Sequence, residues 1–429
     1  MVRRPRSLPA LGRVLAVPFL AGLVVLGAAP GVVSIPPAAA ACGPTGSPAA
    51  AATPRAGAVA AVEWLLSQVQ PDGGFETAGF PGFETPDAVL AIATAAQTTS
   101  VWSTSEALAA VRAISSVCGE DPLAWLDGWS ASGLSGGDAA KLVVLVAEPL
   151  GLPSAAFDPA GDGAPIDLTT AIAAAATPDG RYGTFNETIY AALALRLVIG
   201  AVPAGTVTAI RAGQHPDGGW DYTGDLTTAT PADVNTTAAA LIGLVAGGAA
   251  QSDAGVQRAL GFLATRQQAD GGWREEGDAV TNPNATALAA LAIRTAGYDP
   301  DSSVWRPVQP AGAAAFAAVT GTPTGALLAA QAGDGHLVGP YDDFGLNTFG
   351  TSQGVQGLLR TWLVGALPLA APATSTTTSP VATTTPPVAA APARLANSGA
   401  RGATATMVVL GFVVLGLGLA LVRLGRRVA

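Results

Sequence analysis

The sequence predicts an all-α protein, an α/α toroid of six helical hairpins. Two observations carry that expectation: a loop motif recurs along the chain, and small apolar residues recur at helical spacing between its copies. Three copies are nearly alike: Gln70-Pro71-Asp72-Gly73-Gly74-Phe75, His215-Pro216-Asp217-Gly218-Gly219-Trp220 and Gln268-Ala269-Asp270-Gly271-Gly272-Trp273. Weaker copies are expected at Asp127-Gly128-Trp129, Asp179-Gly180-Arg181-Tyr182 and Asp334-Gly335-His336. Residues 57–366 therefore read as six units of roughly fifty residues each.

Within a unit, a first helix such as 59–70 or 256–268 is broken by the glycines, which alone enter positive φ cheaply. A helix start with proline in its first turn follows, at Thr85-Pro86-Asp87, Thr230-Pro231-Ala232-Asp233 and Asn282-Pro283-Asn284. Ser135, Asn186 and Asn347 mark the comparable starts elsewhere. The second helices, 88–96, 237–246 and 285–296, are rich in alanine. They are expected inside the ring, where space is narrow.

The ends differ from the middle. Hydrophobic residues make up 49% of the 429 and charged residues 12%, which excludes a charged disordered chain, yet the long apolar runs lie only at the termini. Residues 1–41 read as a signal peptide: Arg3, Arg4, Arg6 and Arg13, an apolar run over 14–29, and a small-residue cleavage site at Ala39–Ala41. A retained signal anchor is the alternative. Residues 42–56 would open the mature chain. Residues 367–394, rich in Thr, Pro and Ala, read as a disordered, extended stalk. The apolar run 406–422 is followed by Arg423, Arg426 and Arg427, which predicts a C-terminal transmembrane helix with a cytoplasmic tail.

Before that run stands Leu395-Ala396-Asn397-Ser398-Gly399. Pentapeptide, apolar span and basic tail together resemble the wall-sorting signal cleaved by sortases, with Ser398 where the family pattern has Thr. The resemblance implies a sortase-like transpeptidase as partner and attachment to the cell wall; a plain membrane anchor is the other reading. Both place the domain on the extracellular face. Processing at 41 and 398 would remove eight of the 21 basic groups and none of the 30 acidic ones, leaving 13 − 30 = −17. That charge argues against nucleic acid as a partner. Cys42 and Cys118, the only cysteines, are expected to form a disulfide, with free thiols or lipidation of Cys42 as alternatives.

The Gln-x-x-Asp-Gly-Gly-Trp loops at 214–220 and 267–273 resemble the repeat of squalene-type terpene cyclases and protein prenyltransferases. The resemblance implies the toroid, and it implies structural work for the loop: glycine turns, the indole packs on a helix, Asp caps amides. In the cyclases the proton donor is the middle acid of Asp-x-Asp-Asp. Here the run is Asp233-Val234-Asn235-Thr236, so Asn235, which has no acidic proton, holds the donor place. The prenyltransferases bind zinc through Asp, Cys and His; His215 and His336 read instead as solvated loop residues, and no metal or other cofactor is expected. Cys118-Gly119-Glu120-Asp121 approaches the thioester motif of related toroids, but Asp121 lacks the amide that forms the bond.

If the inner helices run parallel, Asp87, Asn186, Glu187, Asp233, Asn235, Asn282, Asn284 and Asn347 gather at one rim, with Tyr190 and Gln353 deeper. Two readings stand. These are helix caps, or Asp87 and Asp233 form an acid and base pair for polysaccharide cleavage. The expected function is a non-enzymatic surface module that binds a small or extended ligand, or displays a surface, at that rim; Asp87, Asn186, Tyr190, Asp233, Asn235, Asn284, Asn347 and Gln353 are the binding candidates. The alternative is a cyclase-like or wall-polysaccharide-active enzyme. A ring plugged by side chains would exclude a small ligand in its centre.

Overall fold

The computed structural model describes residues 51–76, 82, 84–227, 229–275, 278–308, 316–340 and 347–367, all within one compact unit, Pro36–Ala429. The expected signal peptide, Cys42, stalk, sorting pentapeptide and apolar C-terminal run lie outside the described residues. Among the described residues no helix is long and apolar enough to cross a membrane.

The helices are α1 (Pro54–Leu66), α2 (Thr85–Ala96), α3 (Thr104–Cys118), α4 (Pro122–Ala131), α5 (Gly136–Leu142), a π-helical turn (Val143–Ala147), α6 (Glu148–Leu150), α7 (Leu168–Ala174) and α8 (Phe185–Ile199). They continue as α9 (Ala204–Ala212), α10 (Val234–Ala246), α11 (Ala254–Arg266), α12 (Pro283–Thr295), α13 (Pro323–Ala329), α14 (Asn347–Leu359) and α15 (Trp362–Ala366). Extended pairing among the described residues is limited to isolated bridges such as Trp220 with Asp233 and Gln331 with Leu337.

Inner helices pack in a closed circuit: α2 on the π-turn that continues α5, α5 on α8, then α10, α12, α14 and back to α2. Around them α1, α3 with α4, α7, α9, α11 and α13 form the outer layer. Small residues explain the division. Every residue of α2 from Thr85 to Ala95 is buried, and α12 is buried on nearly all sides, which only an alanine-rich helix tolerates between two close neighbours.

The repeat loops build this ring. A Cβ at Gly218, whose φ is 95°, would lie 2.3 Å from the Arg258 carbonyl oxygen; at Gly271, φ 93°, it would lie 2.4 Å from the Thr322 nitrogen. Each loop thus presses its glycine against the next outer helix. Asp72, Asp217 and Asp270 accept from the amides of Gly74, Gly219 and Gly272 at 3.0–3.1 Å. The indoles of Trp220 and Trp273 donate back to the Ile210 and Leu263 carbonyls, at 2.7 and 2.8 Å. Gln214 Nε2 donates to Gly218 O and, across to α11, to Gly255 O, both at 2.9 Å. Gln331 Nε2 makes the same reach to Gly57 O of α1 at 2.8 Å, joining the last unit to the first. Beside it the imidazole of His336 packs on Trp64, ring centroids 5.2 Å apart.

Several expectations are corrected. Asp127-Gly128-Trp129 is not a loop but lies inside α4; proline at its first position and the Asp121 cap carry that helix through the glycine. The turn of this unit falls instead around Gly133, at φ 100°. Pro231 precedes α10 rather than entering it, since Asp233 is the N-cap. The first helices begin and end earlier than expected, at Pro54–Leu66 and Ala254–Arg266. His215 and His336 are mostly buried, and each pairs with an aspartate, Asp221 at 2.8 Å and Asp334 at 2.5 Å. Beyond the six hairpins there is also α15.

Gln331→Ala removes the bond from the last loop to α1 and leaves the Gly57 and Gly335 carbonyls without their donor. It is expected to lower stability by about 1–3 kcal/mol, read from the urea midpoint; an unshifted midpoint would show that ring closure does not depend on this side chain.

Candidate functional site

The N-terminal halves of the inner helices meet at one mouth of the ring. Five of the six are hung from their loops by a threonine, all but α5: the amides of Phe75, Tyr182, Trp220, Trp273 and Leu337 donate to the hydroxyls of Thr85, Thr188, Thr237, Thr286 and Thr351 at 2.9–3.0 Å. This set was not singled out from the sequence, because its distance from the loop varies from six to seventeen residues. The recurring signal is an inner-helix threonine facing its own loop.

The structure brings most of the expected residues together, and it bonds them to one another. Asn235 Nδ2 donates to Asn284 Oδ1 at 2.8 Å and to Glu275. Asn284 Nδ2 donates to Gln353 Oε1, and Gln353 Nε2 to Asp87 Oδ1 at 3.3 Å. The other oxygen of Asp87 lies 3.3 Å from Nζ of Lys141, the only lysine in the chain. One polar chain therefore runs across α10, α12, α14, α2 and α5. The sixth inner helix contributes Tyr190, whose phenol is pushed above its ordinary range by burial and, secondarily, by the Asp87 carboxylate.

Asp87, Asn284 and Gln353 are buried, whereas Asn186, Tyr190, Asp233 and Asn235 keep some exposure. Asn347 opens α14. The cap reading holds for two of the rim residues: Asp233 accepts from Thr236 N at 2.7 Å, and Asn282 from Asn284 N at 2.9 Å. Glu187 completes a capping box with Thr184, which makes Thr184 rather than Asn186 the start of α8. Asp87, Asn235 and Asn284 are not caps; they sit within the first turn of their helices and join the network.

The opposite mouth is covered by α15. Its Trp362 donates from Nε1 to Val144 O at 2.9 Å and packs on Trp102, ring centroids 5.1 Å apart. The π-turn makes that contact possible, since a widened turn redirects a carbonyl that a regular helix would consume. Arg360, at φ 50°, turns the chain into α15 and is held by Asp301 at 3.0 Å. A cavity of only about 10 Å³ persists there, between α2, α12, α14 and α15.

No family model matches the chain, and no curated protein matches it. Among solved structures it is similar to a type II terpene cyclase from Scytonema, in complex with its product merosterolic acid A: 15% identity, TM-score 0.45, covering 72% of this chain and 96% of that one. A likeness of that size fixes no chemistry here.

The chemistry of the mouth is narrow. Asn235 is spent as a double donor. Burial, opposed by the bonds from Thr236, pushes the Asp233 carboxyl up to about 6, with the Asp221 carboxylate adding to the rise. Asp87, on the opposite side of the network, is held by Lys141 and Gln353.

Two outcomes follow. Asp87→Ala leaves the Lys141 ammonium buried without its carboxylate and should cost about 3–5 kcal/mol, part of which the double change Asp87→Leu/Lys141→Met restores; a denaturation series decides it, and equal loss in both variants would count against the pairing. For Asp233 the folded value lies above the ordinary 3.8, so its contribution to stability is complete below 3.8 and is lost as pH rises through about 6. Asp233→Asn keeps the cap but cannot titrate. Its melting temperature should therefore gain on the wild type between about pH 4 and about pH 7, and a constant difference would refute the assignment.

Proposed function

We propose that this chain is a non-enzymatic cell-surface module that displays the rim at the N-terminal mouth of its ring. The observation that carries the reading is the filled axis. Among the described residues, one mouth is crossed by side chains bonded to one another and the other by α15, which leaves the outer rim for a partner. On that rim the loops before α10 and α12 expose Tyr222, Leu226 and Val280, at 45%, 49% and 57%. Apolar groups set beside polar ones suit an extended ligand or a macromolecular surface better than a small molecule in a pocket.

The tail supports the same reading. Leu367, the last described residue, follows α15 at the mouth opposite the rim. A stalk over 367–394 leading to an anchored segment would leave the rim pointing away from the envelope. Removal of 1–41, sorting at 395–399 by a sortase-like transpeptidase, or retention by the apolar run 406–422, belong to this proposal. So does a Cys42–Cys118 disulfide.

Two measurements test it. In its own cells the full chain should fractionate with the wall, and deletion of Leu395–Gly399 should shift it to the membrane; membrane location in both would leave only the plain anchor. Incubated with isoprenoid substrates and with wall polysaccharides, the protein should yield no product. Any product that disappears in Asp233→Ala would establish the enzymatic alternative.

A further inference from the structure

Three side-chain atoms beneath the ring are buried and lack a hydrogen-bond partner in the protein: Thr94 Oγ1 of α2, Gln356 Nε2 of α14, and Thr361 Oγ1 in the link to α15. All three residues line the same small cavity, whose remaining walls are Leu90, Leu291, Trp362 and Leu363. A buried threonine in a helix ordinarily turns its hydroxyl back to the carbonyl four residues earlier. Thr188 and Thr295, both buried, do so here at 2.9 and 2.8 Å. Thr94 does not, although it is 1% exposed.

Polar atoms buried without partners are costly, and three of them on three separate segments facing one space point to a shared ligand. The cavity volume of about 10 Å³ is close to one water-sized sphere. Its chemistry fits water as well. Gln356 Nε2 can only donate, so the occupant must accept; each hydroxyl can donate or accept, so the occupant may do either toward it. No charged group lines the space, which disfavours an ion.

We infer that this cavity binds one water molecule as a fixed part of the fold, bonded to Thr94, Gln356 and Thr361. The water joins α15 to the inner ring. Apolar packing of Trp362 and Leu363 holds α15 against the mouth, and the water supplies the polar contact that fixes where the link at Thr361 sits.

The test is a crystal structure of the full-length protein at a resolution that orders water, with the triple variant Thr94→Val/Gln356→Leu/Thr361→Val beside it. The wild type should show one density peak within hydrogen-bond distance of all three atoms, absent from the variant. In solution, water relaxation measurements should count one fewer long-lived water in the variant. An empty cavity in the wild type, or a direct bond between Gln356 and Thr361 closing it, overturns the inference. Should the triple variant fail to fold, Thr94→Val, which keeps the side chain's shape, should leave the peak with two partners; loss of only that contact is the expected result, and a peak unmoved and still three-bonded sinks it.

Discussion

The ring depends on a side chain that reaches from one unit into the next. Gln214 ties its own turn to α11, Gln331 ties the last turn to α1, and Gln267, bonded within its own turn, accepts from Arg306 of the following segment. A single hairpin has an apolar inner helix it cannot bury alone, so the fold becomes stable only when neighbours supply the missing face. The primary amide suits this task because it donates to two carbonyls at once while its oxygen accepts from an arginine, as at Gln214 with Arg258. Where the first unit has Val69 in place of that glutamine, the loop relies on glycine packing against Asp121 and Trp125 instead.

Closure of the ring sets what its axis can contain. Six parallel helices converge at their N-terminal ends, where backbone amides favour negative and amide side chains. In an open vessel those groups would face solvent or substrate. Here they bond to each other, from Glu275 through Asn235, Asn284 and Gln353 to Asp87 and Lys141. A buried network of this kind is stabilising only when its members are satisfied together, so taking one residue away for binding would strand its neighbours. At the far end α15 covers the ring, with Trp362 and Leu363 beside the polar side chains of Thr94, Gln356 and Thr361.

Much of this was legible from residue order. Glycine pairs after an aspartate fix a turn whatever surrounds them, and the three clear copies at 70–75, 215–220 and 268–273 stand where the sequence places them. Helix starts at Ser135 and Asn282 followed from cap chemistry, and the start at Thr85 from the proline in its first turn. Asp127-Gly128-Trp129 failed because three residues of composition do not make the turn: it has neither the second small residue nor an inner threonine to receive its amide, and the Pro122 start favoured helix. The mouth residues were found as a group, but their pairing was not, since side-chain reach of up to 266 residues along the chain, as from Asp87 to Gln353, leaves no trace in local pattern. The cover formed by α15 was hidden for a similar reason: five residues after Arg360 carry no periodic signal.

The acidic residues of the rim are held by local bonds and burial, and each is fixed in a different way. A carboxyl that donates a proton must be held protonated, beside a space that admits substrate. Asp233 lies at the start of its helix with both oxygens turned to Thr236, and burial weakens it as an acid rather than strengthening it. The position that faces the axis is Asn235, which donates where a catalytic acid would release a proton. Asn at that place is compatible with a closed polar chain in a way Asp is not, because its amide donates to the Asn284 oxygen and to Glu275, where a second carboxylate would be repelled. The two bonds that Asn235 donates are thus what lets the mouth close.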